Sequence, residues 1–204
     1  MSNTSFVPTF LHDLSLARAA VVYAEEFHRG QRRESDEAPF VLHPLEVAAL
    51  LHNSGHREVV VAAGILHDTV EDTPTTSQEI HQRFGPEVAA LVEALTEDPT
   101  IKGFAARKTA LREQIAAAGP DATSIYAADK VTKVRELRAR MAADLDLLRS
   151  NERDRARLEH YRESLVMLEE ATPGHPVVRQ LRFELEALAA LPPRIDATDA
   201  DRQR

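Results

Sequence analysis

Residues 59–66 read VVVAAGIL, an unbroken apolar run. It sits inside a helical pattern expected from about Arg57 through Asp72, and a helix that is apolar all round must lie at the centre of a fold. The run leads straight into Ile65-Leu66-His67-Asp68-Thr69-Val70-Glu71-Asp72. The most enclosed helix of the chain is therefore expected to end in four polar, metal-competent side chains. On one continuous helix His67 and Asp68 diverge by about 100°. Glu71 then lies one turn from both, and Asp72 one turn from Asp68. Burying three carboxylates without a counter-charge costs several kcal/mol per ion. A divalent cation is the simplest remedy.

The remaining chain is punctuated like a series of helices. Only seven glycines interrupt 204 residues, and Ala, Leu, Glu and Arg abound, a composition that favours helix. Residues 13–29 place Leu14, Ala17, Val21, Ala24 and Phe27 on roughly one face, with Gly30 where a C-terminal cap belongs. Pro44 is suited to the first position of a second helix that closes before Gly55. Pro74 disfavours helix at Thr73. Thr76-x-x-Glu79 reads as a capping box opening a short helix that stops at Gly85, and Pro86 starts the next. Residues 97–104 are loop-like, and helical patterns follow at about 105–118, 121–143, 152–171 and 174–190. The expectation is one all-α domain over 1–190, of about eight to ten helices, with 150–190 packed on it as a helical hairpin. Residues 191–204 lack apolar periodicity and are expected to form a flexible, disordered tail.

Two further polar residues stand among apolar neighbours. His43 lies in Phe40-Val41-Leu42-His43-Pro44-Leu45, and Asp129 in Ile125-Tyr126-Ala127-Ala128-Asp129-Lys130-Val131. With His67 and Asp68 they make a His₂Asp₂ set, whose imidazole and carboxylate donors suit Mn²⁺, Fe²⁺ or Zn²⁺ better than Ca²⁺. Taken singly, each has an ordinary reading: His43 as a helix-entry residue, Asp129 as a partner of Lys133 at i, i+4, Glu71 and Asp72 as solvated charges. Their joint pattern is what points to a metal.

The combination Gln31-x-Arg33, Phe40-Val41-Leu42-His43-Pro44, Leu66-His67-Asp68-Thr69-Val70-Glu71-Asp72-Thr73, Phe84-Gly85 and Ala128-Asp129-Lys130 resembles the HD-superfamily hydrolase domain of RelA/SpoT proteins. The likeness runs from about Leu14 to Glu170. In its shortness the chain is similar to the free-standing small alarmone hydrolases of the metazoan SpoT-homologue type. That resemblance implies an HD-type helical domain and removal of the 3′-pyrophosphate from guanosine 3′,5′-bispyrophosphate. It implies that His43, His67, Asp68 and Asp129 hold one catalytic Mn²⁺, and that Glu71 and Asp72 position and activate the water. It sets Arg33 toward the phosphate side of the substrate; an anionic substrate in a chain of net charge −8 further calls for local cations, for which Arg32, Lys130, Lys133 and Arg135 are candidates. Two positions depart from the family pattern: Glu34 stands where a lysine is usual, and Lys133 where asparagine is usual.

Charge and composition bound the alternatives. Lys and Arg number 25 against 33 Asp and Glu, a formal net charge of −8, which argues against sequence-independent nucleic-acid binding. The chain has no cysteine, which removes disulfides, thiolate metal sites and Cys nucleophiles together. No segment approaches the roughly 20 apolar residues of a membrane span, and the N-terminus lacks the pattern of a signal peptide. A cytoplasmic protein acting on a small nucleotide is expected. An HD phosphohydrolase for another nucleotide or phosphorylated cofactor, and a non-catalytic nucleotide-binding sensor, remain alternatives. Leu158, Tyr161, Leu165 and Leu168 fall at helical spacing as core or an interhelix seam, and could also serve a homodimer.

Overall fold

In the computed structural model, which describes residues 7–144 and 147–190, the chain is all helix apart from one isolated β-bridge between Arg32 and Pro39. A 3₁₀ turn at Thr9–Leu11 precedes α1 (Ser15–Phe27), α2 (Leu42–Asn53), α3 (Glu58–Leu66), α4 (Thr69–Asp72), α5 (Ser77–Phe84) and α6 (Pro86–Leu95). Then follow α7 (Phe104–Ala118), α8 (Pro120–Ala143), α9 (Leu147–Ser150), α10 (Glu152–Ala171) and α11 (Pro176–Ala189). Among the described residues nine helices run eight residues or longer, within the expected range, and α4 and α9 are single turns. The expected tail at 191–204 lies outside the described residues. No described helix is long and apolar enough to cross a membrane.

Two helices are enclosed, and the rest is arranged around them. The apolar run makes α3, in which every residue from Val60 to Leu66 is buried, and which packs against α1, α2, α6 and α8. The second is α8, whose residues from Ala122 to Thr132 are all buried and which carries α2, α7, α10 and α11 on its flanks. The expected hairpin is there: α10 and α11 pack on each other and both lie on α8. Leu158, Tyr161 and Leu168 are buried and Leu165 packs against the core, so this stripe faces inward.

Close approach of α2 to α3 depends on Gly64. A Cβ there would fall 2.5 Å from Leu51 Cδ1 and 3.3 Å from Val47 Cγ1, both side chains being fully buried. Gly85 (φ +88°) ends α5 and opens α6, a backbone state that suits a residue without Cβ. The capping box at Thr76 forms with both of its bonds.

Two boundaries differ from expectation. Pro44 is the third residue of α2, not the first. The position tolerates it because the first four N–H groups of a helix have no partner within it. The helix expected over 57–72 is interrupted after Leu66. His67 keeps helical dihedrals, but Asp68 drifts to φ −91°, ψ −7°. Here side chains take over the carbonyls: Thr69 Oγ1 donates to Leu66 O at 2.5 Å, and His67 Nδ1 to Gly64 O at 2.8 Å. Such local bonds offer the backbone an alternative to the helix ladder. The single turn α4 then restarts, with Asp72 N donating to Asp68 O at 2.9 Å.

Replacing Gly64 by Val should drive two methyls into Leu51 and Val47. The expected loss is about 1–3 kcal/mol, the usual cost of overpacking a core. Chemical denaturation of the G64V variant checks it.

Candidate metal centre and cleft

Four donors from three elements meet where the two enclosed helices face each other. His43 comes from the first turn of α2, His67 and Asp68 from the break between α3 and α4, and Asp129 from the buried stretch of α8. His43 Nε2 lies 3.4 Å from His67 Nε2, 3.4 Å from Asp68 Oδ2 and 3.2 Å from Asp129 Oδ1. His67 Nε2 lies 3.0 Å from Asp68 Oδ1 and 3.6 Å from Asp129 Oδ1. Donor atoms of His43, His67 and Asp129 all fall within 4.8 Å of one another.

Both rings are oriented from behind. His67 Nδ1 donates to Gly64 O. Thr132 Oγ1 gives its proton to Asp129 O at 2.7 Å, so at 3.1 Å it accepts from His43 Nδ1. Each imidazole thereby turns an Nε2 lone pair toward the common point. Two buried carboxylate oxygens, Asp68 Oδ2 and Asp129 Oδ1, have no hydrogen-bond donor, while Asp129 Oδ2 is held by Lys130 Nζ at 2.5 Å. Two imidazole lone pairs and two orphaned anionic oxygens aimed inward are what a divalent cation requires, and the residues present fit one.

The charges shift one another strongly. Burial lowers His43 to about 4, assisted by Lys133. Burial opposes charge on His67 too, but Asp68 and Asp129 outweigh it and raise His67 to about 10, so that a cation bound there would displace the proton on Nε2 to expose its lone pair. Asp68 is held below the usual carboxylate range by His67 and Lys133 against its burial, and Asp129 likewise by Lys130 and Lys133. Lys133 Nζ stands 3.9 Å from both Asp68 and Asp129.

Glu71 and Asp72 stand on α4 beside this cluster, open to solvent. Partial loss of water beside the cleft wall raises both carboxyls, and the neighbouring Asp68 adds to it. One Glu71 oxygen accepts from the backbone N–H of Glu97, which leaves the other without that tether. Gln31 Nε2 donates to Asp72 O at 2.9 Å, and Gln31 Oε1 is in turn held by His28 Nδ1 at 2.7 Å.

All nine expected site residues line one cleft of about 710 Å³. Nine cationic and eight acidic side chains line it, a balance of +1 in a chain whose net charge is −8. Arg33 is there, but Asp36 and Glu46 (2.7 Å) hold its guanidinium. Arg32 also reaches the cleft. Arg135 does not: it turns to the buried Glu184 at 2.7 Å and, with Arg138, ties α8 to α11. Sequence reasoning missed Thr132, whose only signal was its i+3 spacing from Asp129. It also missed Arg107 and Lys108 on α7, both paired with Glu97, and Arg153 and Arg157 on α10. Those two are four residues apart, the spacing of one helix face.

The fold and the donor set are those of a helical domain fit to hold a divalent metal, and comparison agrees with that class. The HD domain family matches residues 20–149, and the chain belongs to that family. It is 41% identical over 121 residues to human guanosine-3′,5′-bis(diphosphate) 3′-pyrophosphohydrolase MESH1, a stretch that covers 58% of this chain and 67% of that one. It is 51% identical over 83 residues to the GTP pyrophosphokinase rsh of Brucella melitensis, covering 41% of this chain. The match spans only 11% of that much longer relative. In three dimensions it is similar to a metazoan ortholog of SpoT that hydrolyzes ppGpp, with a TM-score of 0.68 and 26% identity. That likeness covers 90% of this chain and 96% of the other. A Listeria monocytogenes structure follows at a TM-score of 0.66 and 28% identity, covering 74% and 97%.

Thr132→Val removes the hydroxyl behind His43 while keeping the shape. Divalent-ion affinity should fall by about 10–100-fold, the usual effect of losing a partner behind a metal-bound His, with the fold unchanged. Titration calorimetry beside circular dichroism separates the two.

Proposed function

We propose that the chain is a metal-dependent hydrolase that removes the 3′-pyrophosphate from guanosine 3′,5′-bispyrophosphate, releasing pyrophosphate and guanosine 5′-diphosphate. One observation carries it: a donor set fit for a cation and an acidic pair face the same cleft, whose cations continue along α8 and α10. Arg140 lies 11 residues beyond Asp129 on α8 (140 − 129), about 16 Å of helix rise. Positive side chains at both ends suit a substrate that carries phosphates at both ends. The unit proposed to do this is 1–190.

In this reading His43, His67, Asp68 and Asp129 hold one ion, proposed to be Mn²⁺. Such an ion supplies Lewis acidity, which eases deprotonation of water and offsets charge on the phosphoryl oxygens. The remaining work falls to side chains. Glu71, raised toward neutrality and tethered at one oxygen, takes a proton from the attacking water at the other. Asp72, fixed through Gln31, orients that water. Attack falls on the phosphorus bonded to the ribose 3′ oxygen, and the bond between them breaks, the departing 3′ oxygen taking a proton from solvent. Lys130 and Lys133 offset negative charge as it gathers on the non-bridging oxygens. Arg33 is proposed to shape the same wall, through its pairs with Asp36 and Glu46.

A second reading, hydrolysis of another nucleotide, draws on Glu34 and Lys133, which change the charge of the pocket and leave every metal donor in place. Pyrophosphate release from guanosine 3′,5′-bispyrophosphate with Mn²⁺, beside a panel of nucleotides, decides between them. Turnover on another member only, with none on the bispyrophosphate, would overturn the first reading.

Glu71→Gln should retain metal and lower kcat by about 10²–10⁴, the range of general acid–base catalysis. Asp68→Asn should lose both metal and turnover. Metal analysis of each purified variant, run with the rate assay, distinguishes base from ligand.

A further inference from the structure

Glu34 belongs to a small hairpin whose base is firmly tied. Arg33 N donates to Ala38 O at 3.0 Å and Phe40 N to Gln31 O at 3.0 Å. The Arg33 side chain fastens the turn to Asp36 and to Glu46 of α2. From this arm Glu34 reaches across the cleft to α10, 123 positions away in sequence, where it accepts from Arg157 Nη1 at 2.8 Å. It also lies 3.5 Å from Arg153 Nη1. Arg157 makes a second bond, to Asp154 at 3.2 Å, and Asp154 is fully buried and held by both terminal nitrogens of Arg140 at 2.9 and 2.8 Å. Arg157 is thus a positioned, half-covered cation on the cleft wall, with its backing anion behind and Glu34 in front.

The two anions on Arg157 differ in kind. Asp154 is buried among cations and cannot leave without stranding them. Glu34 is 56% exposed in its side chain, and an exposed ion pair contributes only about 0.2–1 kcal/mol. We propose that Glu34 is a specificity-determining residue: its carboxylate occupies Arg157 in the ligand-free cleft and is displaced most readily by a ligand whose own phosphate can replace it there. A ligand that ends in a neutral group leaves the bridge in place and meets a cleft strapped across its mouth. A polyphosphate end exchanges one anion for another on the same guanidinium. This rests on the reading of the cleft as a phosphate-ester site, not on the identity of the base. A competing internal state lowers apparent affinity by the fraction of molecules it holds closed.

The experiment uses the full chain and a binding readout that needs no turnover. Titration of GDP and of inorganic pyrophosphate into wild type, E34Q, R157M and E34Q/R157M gives four dissociation constants for each probe. Removing the charge at 34 should tighten at least one probe by about 1.4- to fivefold, the worth of an exposed ion pair. The gain should vanish in the R157M background. Hydrolysis of the bispyrophosphate by E34Q should show KM lowered by the same factor. Overturning results are an E34Q affinity no higher than wild type, including no detectable binding by either, or a gain that survives in E34Q/R157M. Tighter probe binding without hydrolysis of the bispyrophosphate would leave the bridge standing and remove the alarmone as substrate. Hydrolysis with unchanged affinities would do the reverse.

Discussion

Asp68 and Asp129 direct two carboxylate oxygens at one interior point, and neither oxygen has a donor. Like charges buried together repel strongly, and each has lost its water. Lys130, Lys133 and the two imidazoles relieve part of this, but they crowd round the point without filling it. A doubly charged ion would supply what these groups lack. The surrounding architecture serves to hold this unfavourable arrangement together: the close packing of α2 on α3 at Gly64, the break after Leu66, and the burial of a charged stretch inside α8. Without those constraints the two acids would turn to solvent.

The break after Leu66 does two jobs. A continuous helix would spend the Gly64 carbonyl on the backbone ladder and carry the residues after Asp68 onward along the α3 axis. Interrupted, the chain lets Gly64 O orient the His67 ring and redirects the residues that follow Asp68. It also places the α4 turn, with Glu71 and Asp72, against the loop at Glu97 and against Gln31.

The helices were legible because their ends carry chemistry of their own. The capping box at Thr76, Pro86 after Gly85, and the loop at 97–104 announce their boundaries, and 152–171 matches α10 residue for residue. The apolar run at 59–66 was equally plain, since no exposed helix could carry it. Less legible was the break at Asp68, because its dihedrals stay near-helical and the cause lies in side-chain bonds of His67 and Thr69. Within the site, His43, His67, Asp68 and Asp129 stood out as polar residues in apolar company. Thr132 did not, since a threonine in a helix has many uses and its partner is 89 positions away. The arginines of α10 were hidden among solvated charges of the same kind. Arg135 was misjudged for the matching reason: its buried acid partner, Glu184, comes from α11 and is invisible in local sequence.

The donors at 43, 67 and 68 lie on elements packed around α3 and the donor at 129 lies on α8, while α2 packs on both. A cation seated among them would act as a clasp tying α8 to the α2–α3 pair. Ion binding and the packing of these helices would then be linked, so that whatever loads the site also consolidates the scaffold. A fragment ending before α8 would retain the α3 neighbourhood and three of the four donors, and would have nothing for them to close upon.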